Sequence, residues 1–370
     1  MKIKHLIIEN FRNYQYQQID WDDQINIICG LNAQGKSNLL EAISYLSLAT
    51  SFRGATSEKM LRYGCDCFFL EGKIIRQQLP PLTITAAWSN DKQRKWKING
   101  VVQTKISSVV GLLHTVIFAP EDLLIIKGAP SLRRRFLDMQ MSQLYPEYCS
   151  LLIRYNQILR QRNSCLKDFS YGNGNNETLA VWNQQLVDAG SQIIAQRQRF
   201  LSIIIPLATK YYEDLSGGEQ LTVEYKSFLA QDINDKDIKL SFEQLLQRLL
   251  VIEKQRGVSL CGPHRDDIDF YINGEVARCY ASQGQQRTLA LSLKFAELEL
   301  SYQQKGEYPV LLLDDVLSEL DQRRQARLLQ LLDNNIQTFI TDTDISFDLR
   351  RGQRLIVNNG QLSQGRVNNE

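Results

Sequence analysis

Long apolar runs, paired cysteine spacings, histidines and an excess of either charge are all scarce in this 370-residue chain, and each scarcity excludes something. No stretch approaches the ~20 consecutive apolar residues that a membrane span needs, so no membrane partner is expected. Met1 runs straight into alternating charge and Ile/Leu rather than the basic, apolar and small-residue regions of a secretory leader. The cytoplasm is therefore the expected compartment. The seven cysteines (Cys29, Cys65, Cys67, Cys149, Cys165, Cys261 and Cys279) are odd in number and include no CxxC pair, which argues against a disulfide framework and against a zinc site. Cys65 and Cys67 alternate in a strand-like run and read as ordinary core or surface thiols. A net charge of +2 does not by itself announce a nucleic-acid binder. No internal repeat or low-complexity tract stands out.

What remains is ordinary globular material, 43% hydrophobic and 23% charged, long enough for two structural units. The charge is unevenly spread. Between Gly128 and Lys210 ten Lys/Arg stand against five Asp/Glu, a local excess of five positive charges. That distribution suits either a footprint for phosphate backbones or a solvated helix face.

Two strands are expected in the first 30 residues, around 3–9 and 25–29, followed by a helix over 35–48 with Leu39, Leu40, Ile43 and Leu46 at helical spacing. Short β runs fill 68–118, including 95–98 and 101–103 joined by Asn99-Gly100, a strong hairpin signal. From 133 to 166 a stripe of Phe136, Gln140, Leu144, Tyr148, Leu151, Tyr155 and Leu159 predicts one long amphipathic helix. A Gly/Asn turn at 170–177 separates it from a second helix carrying Trp182, Leu186, Ala189, Ile193 and Phe200, expected to bend or end at Pro206. The pair reads as an antiparallel hairpin inserted into its parent domain. After about Gly257 the β/α pattern returns: a hairpin around Asn273-Gly274, a helix from Gly284, a strand over 309–313, a helix from Asp321 and a strand over 337–341. The expected organisation is an α/β domain made of 1–127 and 257–370, interrupted by a mainly helical unit at 128–256.

Gly30-Leu31-Asn32-Ala33-Gln34-Gly35-Lys36-Ser37 fits G-x-x-x-x-G-K-S between an expected strand and helix. In such a loop the glycines let backbone N–H groups turn inward around a β-phosphate, and the helix N-terminus favours negative charge. Lys36 would reach the β- and γ-phosphates of ATP, and the Ser37 hydroxyl would ligate Mg2+. The acidic partner must end an apolar strand. Val310-Leu311-Leu312-Leu313-Asp314-Asp315 supplies it, with Asp314 toward Mg2+ and Asp315 toward the attacking water. Its distance from Lys36 (314 minus 36, or 278 residues) suits a P-loop domain with a large insertion.

Two segments compete for the signature that ABC-type ATPases present to a partner's nucleotide. Leu215-Ser216-Gly217-Gly218-Glu219 spells LSGG letter for letter, whereas Ser282-Gln283-Gly284-Gln285-Gln286-Arg287 matches loosely. A signature must open a helix so that its hydroxyl and N–H groups face phosphate. Residues 220–225 alternate like a strand, while 282–287 open a strong helix shortly before the Asp314 strand, so the loose match is the expected signature. Ser282, Gly284 and Gln285, with Asp321 from Ser318-Glu319-Leu320-Asp321, would then contact ATP held by a second copy of the chain. That implies an ATP-sandwiched homodimer.

With these pieces placed, nearly the whole chain resembles the RecF family of bacterial DNA replication and repair proteins, relatives of the ABC-type ATPases of chromosome maintenance. The boxes carrying the resemblance begin with Asn10-Phe11-Arg12-Asn13-Tyr14, the phosphate loop, Pro120-Glu121-Asp122 and Gly128-x-Pro130-x-x-Arg133-Arg134-x-Phe136-Leu137-Asp138. They continue through Gly262-Pro263-His264-Arg265-Asp266-Asp267, the 282–287 box and Asp314-Asp315 with 318–321. The resemblance implies an ABC-type ATPase head, a mixed sheet plus an antiparallel β layer, with an inserted helical lid. It also implies ATP-dependent binding of double-stranded DNA near single-strand gaps and junctions. RecR is the implied partner, with RecO and RecA downstream, in recombinational repair, replication and the SOS response at the nucleoid.

Asp315 stands where transporter ATPases carry Glu, and none of the three histidines, His5, His114 and His264, follows the 337–341 strand where a switch histidine would sit. Thr341 and Thr343 are the nearest polar groups. The expected ATPase is slow and DNA-stimulated, a timed clamp rather than a motor. A transporter subunit is a rival reading, opposed by the insertion, the non-standard signature and the missing histidine. An ATPase fused to a nuclease is another, opposed by the lack of a further acid-rich domain. Arg133, Arg134 and Arg135 suit either DNA or nucleotide contact or pairing with Asp138 and neighbouring acids. His264 and Arg265 suit either a site role or organisation of the turn beneath the signature.

Overall fold

The computed structural model describes residues 1–229, 235–317, 322–332, 336–343 and 352–364. The chain divides into two compact units, 1–122 with 297–370 and 123–296. The second boundary expected at 256 thus falls at Ala296 instead. The reason lies in pairing: strand Asp267–Ile272 joins strand Leu221–Lys226 in antiparallel register, Phe295 packs edge-on against Tyr211 at 5.5 Å, and Lys294 lies over the Phe136 ring.

The first unit holds two six-stranded sheets. One is antiparallel throughout, in the spatial order Tyr14–Asp20, Lys2–Phe11, Cys67–Ile75, Leu82–Ser89, Arg94–Ile98, Val101–Gln103. Its strands bury alternate residues: along Cys67–Ile75 the side chains of Phe68, Leu70 and Ile74 point inward, the half-buried pattern of an antiparallel layer. The other sheet runs Gln361–Gln364, Gln353–Asn358, Ile25–Cys29, Thr338–Asp342, Val310–Leu313, Thr115–Phe118, parallel except at the Gln361–Gln364 edge. Val310–Leu313 is buried on both faces, hence its unbroken apolar run.

Helix Lys36–Leu48 is buried on nearly every side and packs against strands of both sheets, which explains why its apolar residues are not confined to one stripe. Tyr45 stacks on Trp96 at 5.4 Å and meets Phe68 edge-on at 5.7 Å, and Phe68 in turn contacts Phe11 and Trp88. Burial of such side chains contributes about 2–3 kcal/mol each. The buried Gln337 amide accepts from the Ile3 backbone N–H at 2.7 Å and donates to the carbonyls of Ile3 and Asp22 at 2.8 Å each, stitching one sheet to the other.

Three strands here lie outside those expected from the sequence. Tyr14–Asp20 mixes tyrosine and glutamine with few aliphatic residues, and the pair Gln353–Asn358 and Gln361–Gln364 is polar, turning at Asn359 and Gly360. All three lie at sheet edges or next to one, where burial demands less of the sequence.

The second unit is mainly helical, with a three-stranded antiparallel sheet ordered Glu275–Val276, Asp267–Ile272, Leu221–Lys226. The single helix expected over 133–166 is two, Pro130–Leu144 and Pro146–Ser170, because Pro146 holds Tyr145 out of helical geometry and opens the second. Of the two outcomes expected at Pro206, a bend or an end, the end does not occur: helix Asn176–Ser216 runs through it. Pro206 is exposed, so the carbonyl of Ser202 that it deprives of a partner can face water. Asn175 caps the helix start, accepting from the N–H groups of Glu177 and Thr178, and Gly217 ends it at φ 85°. Arg162 bonds Asn183 and Arg197 bonds Tyr148, so the two long helices run antiparallel, as the hairpin reading requires. Arg162 and Glu253 form a fully buried pair at 2.6 Å, with Ser259 Oγ taking a further guanidinium N–H.

His114, in the first unit, is fully buried, and burial, with the Lys305 charge adding to it, lowers its pKa to about 3. Below the ordinary imidazole range the unfolded chain takes up this proton while the folded chain does not, so stability falls as pH drops from about 6.5 towards 3. Replacing His114 by Gln is expected to flatten that limb by up to about 1.4 kcal/mol per pH unit, read from urea unfolding at a series of pH values.

Candidate nucleotide site and signature loop

The loop 30–37 leaves the C-terminal end of strand Ile25–Cys29 and enters helix Lys36–Leu48. Its tip residues Leu31, Asn32 and Ala33 are exposed, and Ala33 adopts φ 66°. A Cβ on Gly30 would stand 2.5 Å from the Val357 carbonyl oxygen, and one on Gly35 (φ 118°) would collide with the Asn13 amide at 2.5 Å. Both positions therefore require glycine. No side chain caps the helix and its own first turn carries no acid, so its leading N–H groups have no partner from within the helix. The Lys36 ammonium folds back to donate to the carbonyls of Gly30 at 2.8 Å and Leu31 at 3.3 Å.

The outer side of the loop is clasped by two turns. Asn13 Nδ2 donates to the Gln34 carbonyl at 2.7 Å, Asn13 Oδ1 accepts from Asn38 Nδ2 at 2.9 Å, and the Tyr14 hydroxyl donates to the Gly35 carbonyl at 2.9 Å. From the opposite side Gly360 N–H reaches the Gln34 carbonyl at 3.1 Å and Asn359 N–H the Gln34 side chain at 2.7 Å. Behind the helix, Arg12 (φ 55°) makes a bidentate pair with the fully buried Glu41 at 2.7 and 2.8 Å, and Ser51 bonds the same carboxylate. The Asn10–Tyr14 box is thus a scaffold for the phosphate loop. Asn13, Asn359 and Gly360 had no loop-holding role in the sequence reading, because they lie far from the loop along the chain.

Strand Thr338–Asp342 separates the loop's strand from Val310–Leu313, and Thr341 on it bridges the two. The Thr341 hydroxyl accepts the Asp315 N–H at 2.8 Å and lies 2.9 Å from Asp314 Oδ1 and 3.4 Å from Asp315 Oδ1. Ser37 lies close enough to Asp314 for its hydroxyl to favour the ionised carboxylate. Asp314 is buried, and burial raises its carboxyl above the ordinary range against the hydrogen bonds from Ser37 and Thr341. Asp315 sits at φ 51°, a left-handed conformation that aspartate tolerates. Lys36, Ser37, Asp314 and Asp315 therefore lie in one compact unit, with Ser37 and Asp314 in contact. Among the described residues no group of three or more His, Cys, Asp or Glu forms a metal site. The oxygen pair of Ser37 and Asp314 suits Mg2+, which takes few protein ligands beside phosphate and water.

The signature candidates lie in the other unit. Ser282 is exposed just before helix Gln283–Lys305, and its Oγ accepts from the Gln285 N–H at 3.2 Å while Gln285 Oε1 accepts from the Ser282 N–H at 2.8 Å, a reciprocal capping box. Gly284 lies in that first turn. The 215–219 segment instead ends helix Asn176–Ser216, with Gly217 at φ 85° and Gly218 at φ 107°. Its N–H groups are therefore not presented as a helix opening. Asp321 and the rest of 318–321 lie outside the described residues.

The basic and turn residues resolve toward structure. Arg133 is buried in a bidentate pair with Asp267 at 2.6 and 2.9 Å and donates to the Gly128 carbonyl at 2.8 Å. Arg134 donates to the Asp266 carbonyl at 2.5 Å, and burial lowers the pKa of Arg135. The His264 ring meets the Tyr155 hydroxyl at 2.6 Å and Arg265 donates to the Ser259 carbonyl at 2.9 Å. Asp266, fully buried, takes bonds from Tyr225 and from the Phe228 N–H and lies 3.5 Å from Arg197. The whole 262–267 box is a packed polar turn in the helical unit.

A model described as the RecF/RecN/SMC N-terminal domain matches residues 2–347. The DNA replication and repair protein RecF of Bacillus subtilis is 40% identical over 373 residues, spanning 98% of this chain and 100% of that one. The chain belongs to the RecF family. Its counterpart in Oceanobacillus iheyensis is 42% identical over 350 residues, covering 93% of this chain and 94% of that protein. Among solved structures, the recombination mediator protein RecF with ATP, described as part of the RecFOR pathway, aligns at 34% identity with a TM-score of 0.93, over 98% of this chain and 97% of that one. The Smc head domain of Pyrococcus furiosus shares the fold alone, at 13% identity and a TM-score of 0.55. The fold is accordingly the RecF/SMC-head, ABC-type ATPase fold, with mixed α/β sheets and an inserted helical unit.

Two outcomes follow from this geometry. Because burial disfavours the ionised form of Asp314, Asp314→Asn is expected to raise the melting temperature of the nucleotide-free protein at neutral pH, while abolishing stabilisation by Mg2+ and ATP together. Differential scanning calorimetry with and without both ligands reads each effect. Arg133→Ala, which strands the Asp267 carboxylate, is expected to cost about 3 kcal/mol in denaturant unfolding of the helical unit.

Proposed function

We propose that this chain is an ATP-dependent DNA-binding repair protein. It binds ATP and Mg2+ on the 30–37 loop and closes into a homodimer around them. It then engages duplex DNA at single-strand gaps and junctions and, with RecR and RecO, promotes loading of RecA. The observation that carries this reading is a phosphate loop leaving strand Ile25–Cys29 with Ser37 beside Asp314, the carboxylate that ends Val310–Leu313, in a fold whose relative was solved with ATP.

In this reading the backbone N–H groups of 30–37 face the phosphates. The Lys36 ammonium exchanges the Gly30 and Leu31 carbonyls for phosphate oxygens, a charge-assisted and stronger pairing. Ser37 and Asp314 hold Mg2+, which neutralises developing phosphate charge when bound. Asp315 orients the attacking water from a main chain fixed by Thr341. Ser282, Gly284 and Gln285, with Asp321, complete the site from a second copy. Nucleotide favours the closed dimer by differential affinity, and hydrolysis releases it. Asp315 reaches one methylene less far than Glu would, and Thr341 replaces a histidine, so turnover is slow and serves timing. DNA is held through its backbone, so affinity falls steeply with salt. With Arg133 and the 262–267 box occupied internally, the exposed basic residues of the helical unit are better placed for this than the triple-arginine run.

The deciding experiment measures duplex-DNA binding and dimerisation with and without a slowly hydrolysed ATP analogue, for wild type, Lys36→Arg and Ser282→Arg. Nucleotide should tighten DNA binding at least about tenfold, on the order of typical allosteric coupling, and both substitutions should remove that gain. If neither nucleotide nor either substitution altered DNA binding or dimerisation, the clamp would be wrong. A fast steady-state ATPase without DNA would contradict the timing role.

A further inference from the structure

The LSGG-like segment 215–219 does not open a helix, yet it touches the loop that does. Glu219, half-buried, accepts from Gln285 Nε2 at 2.7 Å through one carboxylate oxygen and from the Tyr212 hydroxyl at 2.9 Å through the other. Its own N–H donates to Ser216 Oγ at 3.1 Å, which fixes the turn that carries it. The next residue is anchored too: Gln220 N–H reaches Asn273 Oδ1 at 2.9 Å and the Asn273 N–H returns to the Gln220 carbonyl at 2.9 Å. The carboxylate therefore stands on a rigid platform made from a helix end and a β-turn.

Gln285 is the residue that this carboxylate restrains. Its amide oxygen accepts the Ser282 N–H, so the nitrogen end must point toward Glu219. Turning the amide over would set its oxygen against a carboxylate and its N–H₂ against another N–H, losing both bonds. Glu219 thus selects one of two amide orientations, and that orientation is the one that closes the capping box on Ser282. The flanking residues Arg278, Cys279, Tyr280, Ser282 and Gln283 are all exposed, so burial holds this loop chiefly at Gln286, whose amide donates to the Ala281 carbonyl at 2.8 Å. Beside it stands a side-chain chain of Tyr212, Glu219, Gln285 and Ser282.

We infer that Glu219 is a positioning residue for the signature: it locks the Gln285 amide and with it the Ser282 cap that a second copy of the chain, carrying nucleoside triphosphate, would meet. This rests on the dimer reading above. Each oxygen of the Glu219 carboxylate is met by a donor of this chain, so its contribution is alignment rather than contact.

The test compares Glu219→Ala, Glu219→Gln, Gln285→Ala and the Ala/Ala double variant for dimerisation with the ATP analogue by sedimentation. Amide hydrogen exchange of residues 282–286 in the nucleotide-free protein is measured alongside. Glu219→Ala should weaken dimerisation about five- to tenfold, the scale of one side-chain hydrogen bond, and speed exchange at 282–286. Analogue affinity of the monomer should not move. Glu219→Gln should behave as wild type, because its carbonyl can still accept from Gln285 and its amide can donate to the Tyr212 oxygen. The double variant should be no worse than Gln285→Ala alone, since both act through one linkage. Should Glu219→Ala fail to fold, Tyr212→Phe, which releases one carboxylate oxygen only, should give an intermediate rise in exchange. Wild-type exchange in Glu219→Ala, additive losses in the double variant, or equal damage from Gln and Ala would each overturn the inference. If the wild type itself did not dimerise with nucleotide, the dimer reading would fail, and hydrogen exchange would still decide whether Glu219 holds the cap.

Discussion

A phosphate-binding loop must keep its backbone N–H groups turned inward toward a ligand, and a chain held in that shape cannot satisfy itself through ordinary strand or helix pairing. Its outward carbonyls must be held from outside. Here Asn13, Tyr14, Asn359 and Gly360 take that role on the carbonyls of Gln34 and Gly35 and on the Gln34 side chain. The two sheets of the first unit are arranged around the requirement: one contributes the Asn10–Tyr14 turn and the other contributes the 359–360 turn. Helix Lys36–Leu48 lies buried between them, with Arg12 and Glu41 securing its flank.

The same economy of polar groups runs through the helical unit, where charge is buried far more than its surface character in sequence suggests. Arg133, Arg162 and Arg197 are all internal, each with a carboxylate partner. Such pairs add little net stability compared with apolar packing, but removal of one member leaves an uncompensated charge that is costly. Their effect is to fix helix register: Arg197 ties Asp138 and the 263–266 turn together, and Arg162 ties two helices to Ser259. Part of the basic bias over 128–210 therefore signals internal architecture.

Much of the candidate nucleotide site was legible in sequence because its chemistry is local. The glycine spacing, Lys36, Ser37 and the apolar strand ending in Asp314-Asp315 each follow from residues within a few positions of one another, and Ile25–Cys29 appeared at its expected bounds. The Asn99-Gly100 and Asn273-Gly274 hairpins were equally local, with both asparagines in left-handed geometry. Less legible were the breaks. Pro146 divides a helix while Pro206 does not, since the first stands where a helix can begin and the second faces water within one already formed. Polar edge strands such as Gln353–Asn358 gave no periodic signal because their burial comes from neighbours distant in the chain.

By itself, the sequence determined that a glycine loop would join a strand to a helix at 30–37, and which of two signature-like segments opens a helix, because both depend on backbone chemistry over a single turn. Tertiary structure alone decided what those residues rest upon. It placed Thr341 against Asp314 and Asp315, Asn13 against Gly35, and Arg133 against Asp267. It also set the LSGG-like turn against the helix-opening 282–287 box through Glu219 and Gln285. These contacts join segments from 22 to more than 130 residues apart in sequence, and their geometry exists only once sheets and helices have closed around a common core.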